Sequence, residues 1–229
     1  AWKTAFSNVN TPAENSGFVS SFIDAAFNGC VFMWDSSFIM MFTKYAEHVF
    51  PFQRTLDNFY SHQHRDGYIC REIEEERGLE HFTRFDPSST GPNILAWSEL
   101  SYYENMHDTE RLRRVYAPLR ALHNWFRQNR TWRDGSYYSS GWGSGMDNVP
   151  RFKCENEDTF GYECQFSHGH MVWIDACLEA ILNCDCLIKM NELLGGGDDV
   201  YDLIEEKERL SALVNGVLWD EGDGFYYDL

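Results

Sequence analysis

Apolar residues recur at three- and four-residue intervals along nearly the whole chain, the period of one face of an α-helix. The spacing predicts helices from Phe18 to Phe27, Ser36 to His48, Pro51 to His64, about Asn93 to Asn105, Glu110 to Asn129, about His170 to Leu194 and about Val200 to Leu218. Pro51 suits a first helical turn, where its missing N–H costs nothing. Thr109 is positioned to cap the helix that carries Leu112, Val115, Leu119, Leu122 and Phe126 on one face. Gly195-Gly196-Gly197 supplies a stop signal. No parallel-sheet pattern interrupts the series, so the class expected is all-α.

A recurring turn divides the helices. Asp66-Gly67-Tyr68, Asp134-Gly135-Ser136-Tyr137-Tyr138 and Asp223-Gly224-Phe225-Tyr226-Tyr227 each follow a helical segment and lead into a short aromatic stretch. Asp-Gly is a common turn in any fold. Its recurrence after pairs of helices is also what stacked helical hairpins look like in sequence, and three hairpins are expected in a single domain over residues 1–229.

The composition excludes some functions. A formal net charge of -17 repels nucleic acid and anionic membrane surfaces. There is no apolar run of about eighteen residues and no basic-then-apolar N-terminus, so neither a membrane span nor a signal peptide is expected. Seven irregularly spaced cysteines do not form a small disulfide scaffold, although Cys154 and Cys164 flank one loop and are placed to pair. Asn129-Arg130-Thr131 is a glycosylation triplet of the kind that also arises by chance. Aromatic residues make up 16% of the chain, and flat rings serve either as core or as platforms for sugar faces.

The segment with most chemical content is SSGWGSGMDNVPR, residues 139–151, where glycines let the backbone approach a ligand closely. Asp147 beside Trp142, Asn148 and Arg151 is a candidate general acid if apolar surroundings keep it protonated; the alternative is an Asx-turn. Asp35 after Trp34 either caps the following helix or accepts hydrogen bonds from a ligand. Arg71 and Glu72 either pair at the surface or line a pocket. Trp173 and Asp175 open the helix after His168-Gly169-His170, which is expected to turn at least one of them toward a pocket. Those histidines and the cysteines near them match no structural zinc spacing, so no metal is expected. Phosphate-cradling, dinucleotide and nucleophile-elbow motifs are missing, so no cofactor is expected.

In order along the chain, WDSSF, DNFYSHQHRDGYICRE, FDPSSTGPN, GWGSGMDNVPR, HGHMVWIDA and LWDEGDGFYYD resemble the catalytic domain of glycoside hydrolase family 63 and its mannosylglycerate-hydrolase-like relatives, with family 37 trehalases as distant kin. The resemblance runs from about Phe18 to Asp228. It implies an (α/α)6 toroid that hydrolyses an α-glycosidic bond with inversion, with Asp147 as general acid and Trp34 and Asp35 in the pocket for the terminal sugar. Arg71, Glu72, Trp142, Asn148 and Arg151 occupy the positions of polar pocket residues. Related enzymes carry a glutamine before the proline of the third block, where this chain has Gly91.

Inversion also needs a second carboxylate to activate water, which in the family is a glutamate in the C-terminal third. A toroid has six hairpins, and three are legible here. The expectation is therefore about the first half of a catalytic domain, with the base and the C-terminal part of the toroid beyond this chain. The resulting reading is an exo-acting hydrolase of α-glucosides or α-mannosides, acting on an oligosaccharide or small glycoside. The alternative is a non-catalytic sugar-binding or truncated relative. A toroidal sugar epimerase is a further rival, but it needs two histidines on inner helices, whereas His168 and His170 share a loop.

Overall fold

A computed structural model of the chain describes residues 2–25, 28–146, 151 and 167–229. Among these residues, seven α-helices carry the fold: α1 (Trp2–Ser7), α2 (Met33–Thr43), α3 (Thr55–Ser61), α4 (Leu95–Met106), α5 (Thr109–Asn129), α6 (Ile174–Leu193) and α7 (Tyr201–Gly216). Three two-stranded antiparallel sheets are appended: β1 (Val9–Asn10) with β2 (Phe22–Ile23), β3 (Cys30–Phe32) with β4 (Glu72–Glu74), and β5 (Trp219–Asp220) with β6 (Phe225–Tyr226). None of the described helices is long and apolar enough to cross a membrane.

The helices form three hairpins among the described residues, α2–α3, α4–α5 and α6–α7. The first helices of the hairpins make an inner row, with α4 touching both α2 and α6, and the second helices flank that row on the outside. The face of α5 read from the sequence is the buried one, with Leu112, Val115, Leu119, Leu122 and Phe126 all in the core. On α7, Leu203, Leu210 and Val214 form the corresponding stripe. Burying such stripes between hairpins is what stabilises the stack.

Each Asp-Gly turn closes a hairpin on its outer helix. Gly67, Gly135 and Gly224 have φ of 98°, 83° and 62°, a region open to glycine at little cost. At Gly67 the requirement is double, because an added Cβ would stand 2.2 Å from the Ala121 carbonyl oxygen on α5. The first turn is held further by Asp66, whose Oδ2 accepts the Trp125 indole N–H at 3.2 Å, and Tyr68 packs against that indole.

Three expectations need correction. Residues 18–25 are extended rather than helical: Asn58 Oδ1 accepts the N–H groups of Val19 and Ser20, Thr55 Oγ1 accepts that of Ile23, and Phe22–Ile23 pairs with Val9–Asn10. Tertiary hydrogen bonds here override a local helical period. The helix expected at Ser36 begins at Met33, whose N–H donates to the Arg71 carbonyl at 2.8 Å, so Asp35 lies inside the first turn and is not its cap. The cap of α5 is Asp108, accepting the Arg111 N–H at 2.9 Å, one residue before the expected Thr109.

Candidate active site

The N-terminal end of α2 and the segment leading into α4 line a cavity of about 290 Å³. Trp34 and Asp35 reach it from the first turn of α2, where a carboxylate is also favoured by the helix dipole. Arg71 enters from the segment after the first Asp-Gly turn, Gly91 and Pro92 from the approach to α4, and Trp142 and Gly145 from the glycine-rich loop after the second turn. Segments up to 120 residues apart in sequence, Ala25 to Gly145, thus meet at one end of the inner row.

Backbone and hydroxyl hydrogen bonds hold these segments together. Arg71 N–H donates to the Ser89 carbonyl at 2.9 Å, and its Nε donates to the Ser88 carbonyl at 2.6 Å. Its guanidinium lies 4.5 Å from the Phe82 ring centre. Ser88 and Ser140 hydroxyls meet at 2.7 Å, tying the third sequence block to the glycine-rich loop. Ser140 Oγ also accepts the Gly143 N–H. Gly145, with φ of 69°, lets that loop lie on the face of the Trp34 indole.

Of the residues expected in the site, Trp34, Asp35, Arg71 and Trp142 share this cavity. Asp147 and Asn148 lie outside the described residues, as do Cys154 and Cys164. Glu72 does not line the cavity. It is buried on β4, where its carboxylate accepts from Asn28 Nδ2 at 2.9 Å and lies 3.3 Å from His81 Nδ1. Arg71, just before β4, reaches the cavity while its Nη2 stays 3.5 Å from Glu72 Oε2, so the two remain paired at the strand's start.

Arg151, Asp175 and Trp173 form a separate buried cluster. Arg151 donates to Asp228 Oδ2 at 2.6 Å and to Asp175 Oδ2 at 2.9 Å, with its guanidinium 4.2 Å from the Trp173 ring centre. Asp228 in turn accepts the Ile174 N–H at the start of α6. Trp173 is fully buried, so it serves as core rather than as a sugar platform.

Sequence reasoning missed Glu179 and Arg130. Glu179, one turn after Asp175 on α6, walls a second small cavity of about 20 Å³ that shares Gly91 with the first. Burial first, and then the Asp175 carboxylate, push its carboxyl well above the usual carboxylate range. The signal available in sequence was an Asp–Glu pair at i, i+4 on the otherwise apolar first half of that helix, Ile174 to Leu182. Arg130 is buried and donates to Thr90 Oγ1, Ser89 Oγ and the Asp86 carbonyl, which fixes the block that leads to Gly91.

His168 and His170 stand 4.7 Å apart between Trp132 and Tyr138, in the turn before α6 rather than on an inner helix. Among the described residues neither joins a cysteine in a metal-binding group. Two indoles, a carboxylate and a guanidinium around one cavity are suited to a polyhydroxylated ring, stacking on its apolar face and bonding its hydroxyls.

Known proteins share this architecture. The chain is similar over its full length to the GH63 mannosylglycerate hydrolase from Thermus thermophilus, with TM-scores of 0.69 for the complex with Tris and D-glycerate and 0.70 for the complex with glucose, at 20% and 19% identity. A sugar epimerase from a ruminal bacterium shares the fold more distantly, with a TM-score of 0.56 at 13% identity over 100% of this chain and 55% of that one. An uncharacterized protein of Borreliella burgdorferi is 24% identical over 197 residues, 85% of this chain.

The chain spans 65–66% of the Thermus enzyme's chain in these two complexes and 37% of the Borreliella protein. The fold is accordingly a part of the mostly helical toroid of that enzyme. The model of the mannosylglycerate hydrolase MGH1-like glycoside hydrolase domain matches residues 31–229. The chain belongs to that glycoside hydrolase family.

Proposed function

We propose that the protein to which this chain belongs is an inverting, exo-acting α-glycosidase that hydrolyses α-glucosides or α-mannosides. The observation that carries this reading is the convergence of Trp34, Asp35, Arg71 and Trp142 on one cavity, bordered at Gly145 by the loop that continues to Asp147. The similar Thermus enzyme has been seen with glucose and with D-glycerate, which supports a small sugar or glycoside as occupant here.

In this reading Asp147 donates a proton to the departing oxygen, and Trp34 and Asp35 hold the terminal sugar. Arg71, Trp142, Asn148 and Arg151 support that pocket, directly or through the loop. A water molecule attacks the opposite face of the ring, activated by a second carboxylate, as inversion requires. The departing alcohol leaves by proton transfer, so the reaction needs no organic cofactor. The domain is read as one unit over residues 1–229 that stacks against the further hairpins of the toroid.

The test is hydrolysis of α-linked glucosides and mannosides by the full-length protein, with the anomeric product followed by NMR. Inverted product, and loss of turnover in Asp147→Asn with sugar binding retained, is the expected result. Unchanged turnover in that variant removes Asp147 from the reaction, and sugar binding without turnover by the wild type favours the sugar-binding alternative.

A further inference from the structure

Beneath the cavity, the β3–β4 sheet brings together three side chains that the glycosidase reading does not use. Register pairs Phe32 with Glu72 and Cys30 with Glu74, so Cys30 and Glu72 are diagonal neighbours on one face. The next segment adds His81, whose N–H donates to the Glu72 carbonyl at 3.1 Å. Cys30 Sγ is 3.9 Å from His81 Nδ1, and that nitrogen is 3.3 Å from Glu72 Oε1. All three ligand atoms lie within 4.8 Å of one another.

The sulfur–nitrogen and nitrogen–oxygen separations are close to the edges of a tetrahedron around zinc. Zn–S of about 2.3 Å with Zn–N and Zn–O near 2.1 Å give edges of about 3.6 Å for S to N and about 3.4 Å for N to O. The ligand types are the soft thiolate and imidazole that select such an ion over calcium or magnesium, with one carboxylate. Around them the charge is negative, since the carboxylates of Glu72, Glu74 and Glu75 act on the thiol. Arg77 pairs with Glu74 at the surface, and Arg71 Nη2 approaches Glu72 Oε2 at 3.5 Å from the other side. The latter contact orients the carboxylate in the way that outer partners orient metal ligands.

Access separates this cluster from the other one of its kind. The His81 side chain is 52% exposed, whereas Cys30 and Glu72 are buried, so an ion can enter from solvent and finish in a sheltered position. The second cluster, His123, Cys184 and Glu206, is buried throughout. There the Glu206 carboxylate already accepts from both His123 and the Tyr137 hydroxyl, which makes it a hydrogen-bond junction between α5, α7 and the second Asp-Gly turn.

We propose that Cys30, Glu72 and His81 form a binding site for a divalent transition-metal ion of the zinc class, with the fourth position open to water. On binding, the thiol proton passes to solvent and the thiolate, imidazole and carboxylate share the ion. The site clamps β3, β4 and the His81 segment together beneath Arg71. It is independent of the glycosidase reading.

The test is titration of the reduced, metal-free chain with cobalt, followed by displacement with zinc. One equivalent of cobalt is expected to bind with a thiolate-to-metal charge-transfer band, which zinc abolishes. Cys30→Ser should remove the band. His81→Ala, at an exposed position that tolerates substitution, should weaken binding by more than about tenfold with the circular dichroism spectrum unchanged. Cys184→Ser should retain both band and affinity. Absence of a band in excess cobalt overturns the proposal, as does a band that survives Cys30→Ser or disappears in Cys154→Ser or Cys164→Ser.

Discussion

Gly145 rests on the face of the Trp34 indole, with the position of an added Cβ only 3.3 Å from Trp34 Cε2. The same glycine has a φ of 69°, so its backbone form and its close approach to the ring are two aspects of one requirement. An alanine there meets a left-handed backbone cost of about 1 kcal/mol and pushes against the indole. Gly145→Ala is therefore expected to weaken sugar binding by about fivefold or more while leaving the helical circular dichroism signal unchanged, as isothermal titration will read.

Trp34 itself is expected to contribute stacking energy. Trp34→Ala removes a ring from the cavity wall and should cost about 1–2 kcal/mol of sugar affinity, roughly tenfold in Kd. Because Trp34 is only partly buried, the thermal midpoint should fall less than it does for a core tryptophan such as Trp173. Equal losses of stability in Trp34→Ala and Trp173→Ala would contradict this division between pocket and core.

Arg71 is held by its bond to the Ser88 carbonyl and by its contact with the Phe82 ring. Lysine keeps the charge but cannot stack as a plane or donate through Nε. Arg71→Lys is expected to reduce sugar affinity by about tenfold with a change in stability below about 1 kcal/mol. Titration calorimetry and thermal melts on the same sample separate the two effects.

Arg151 neutralises the buried Asp175 and the partly buried Asp228 at the start of α6. Removing one partner of a buried ion pair leaves uncompensated charge and costs about 3–5 kcal/mol. Arg151→Ala should lower stability by that order in chemical denaturation. The double variant Arg151→Ala, Asp175→Asn should recover part of it, because less unpaired charge then remains.

The carboxyl of Glu75 is pushed up from 4.5 to about 7, first by burial and then by the neighbouring Asp24 carboxylate. The folded chain thus keeps a proton that the unfolded chain has lost. This contribution is present in full below about pH 4.5 and is lost as pH rises through 7. Glu75 is only partly buried, so screening reduces the effect to about 1 kcal/mol, or ~2–4 °C in thermal midpoint. Glu75→Gln should match the wild type near pH 5 and melt higher than it at pH 8. A constant difference across that range would remove Glu75 as the cause.

Much of the helical frame was written in local sequence. Helical period, stop signals and the Asp-Gly-aromatic recurrence depend on residues within one or two turns of each other, and they placed α5, α6, α7 and the three hairpin closures within a residue or a few. The block order likewise led to Trp34, Asp35, Arg71 and Trp142, which share the cavity. Tertiary structure decided the rest. Residues 18–25 exchanged a helical period for hydrogen bonds to Asn58 and Thr55, more than thirty positions away. The pairing of β4 with β3 set Glu72 beside Cys30 and His81 while Arg71, one residue earlier, lines the cavity, a division that neighbouring letters cannot express. Arg151 meets Asp175 and Asp228 because a buried guanidinium needs carboxylates around it, and only packing could bring those two, 24 and 77 positions away, to it.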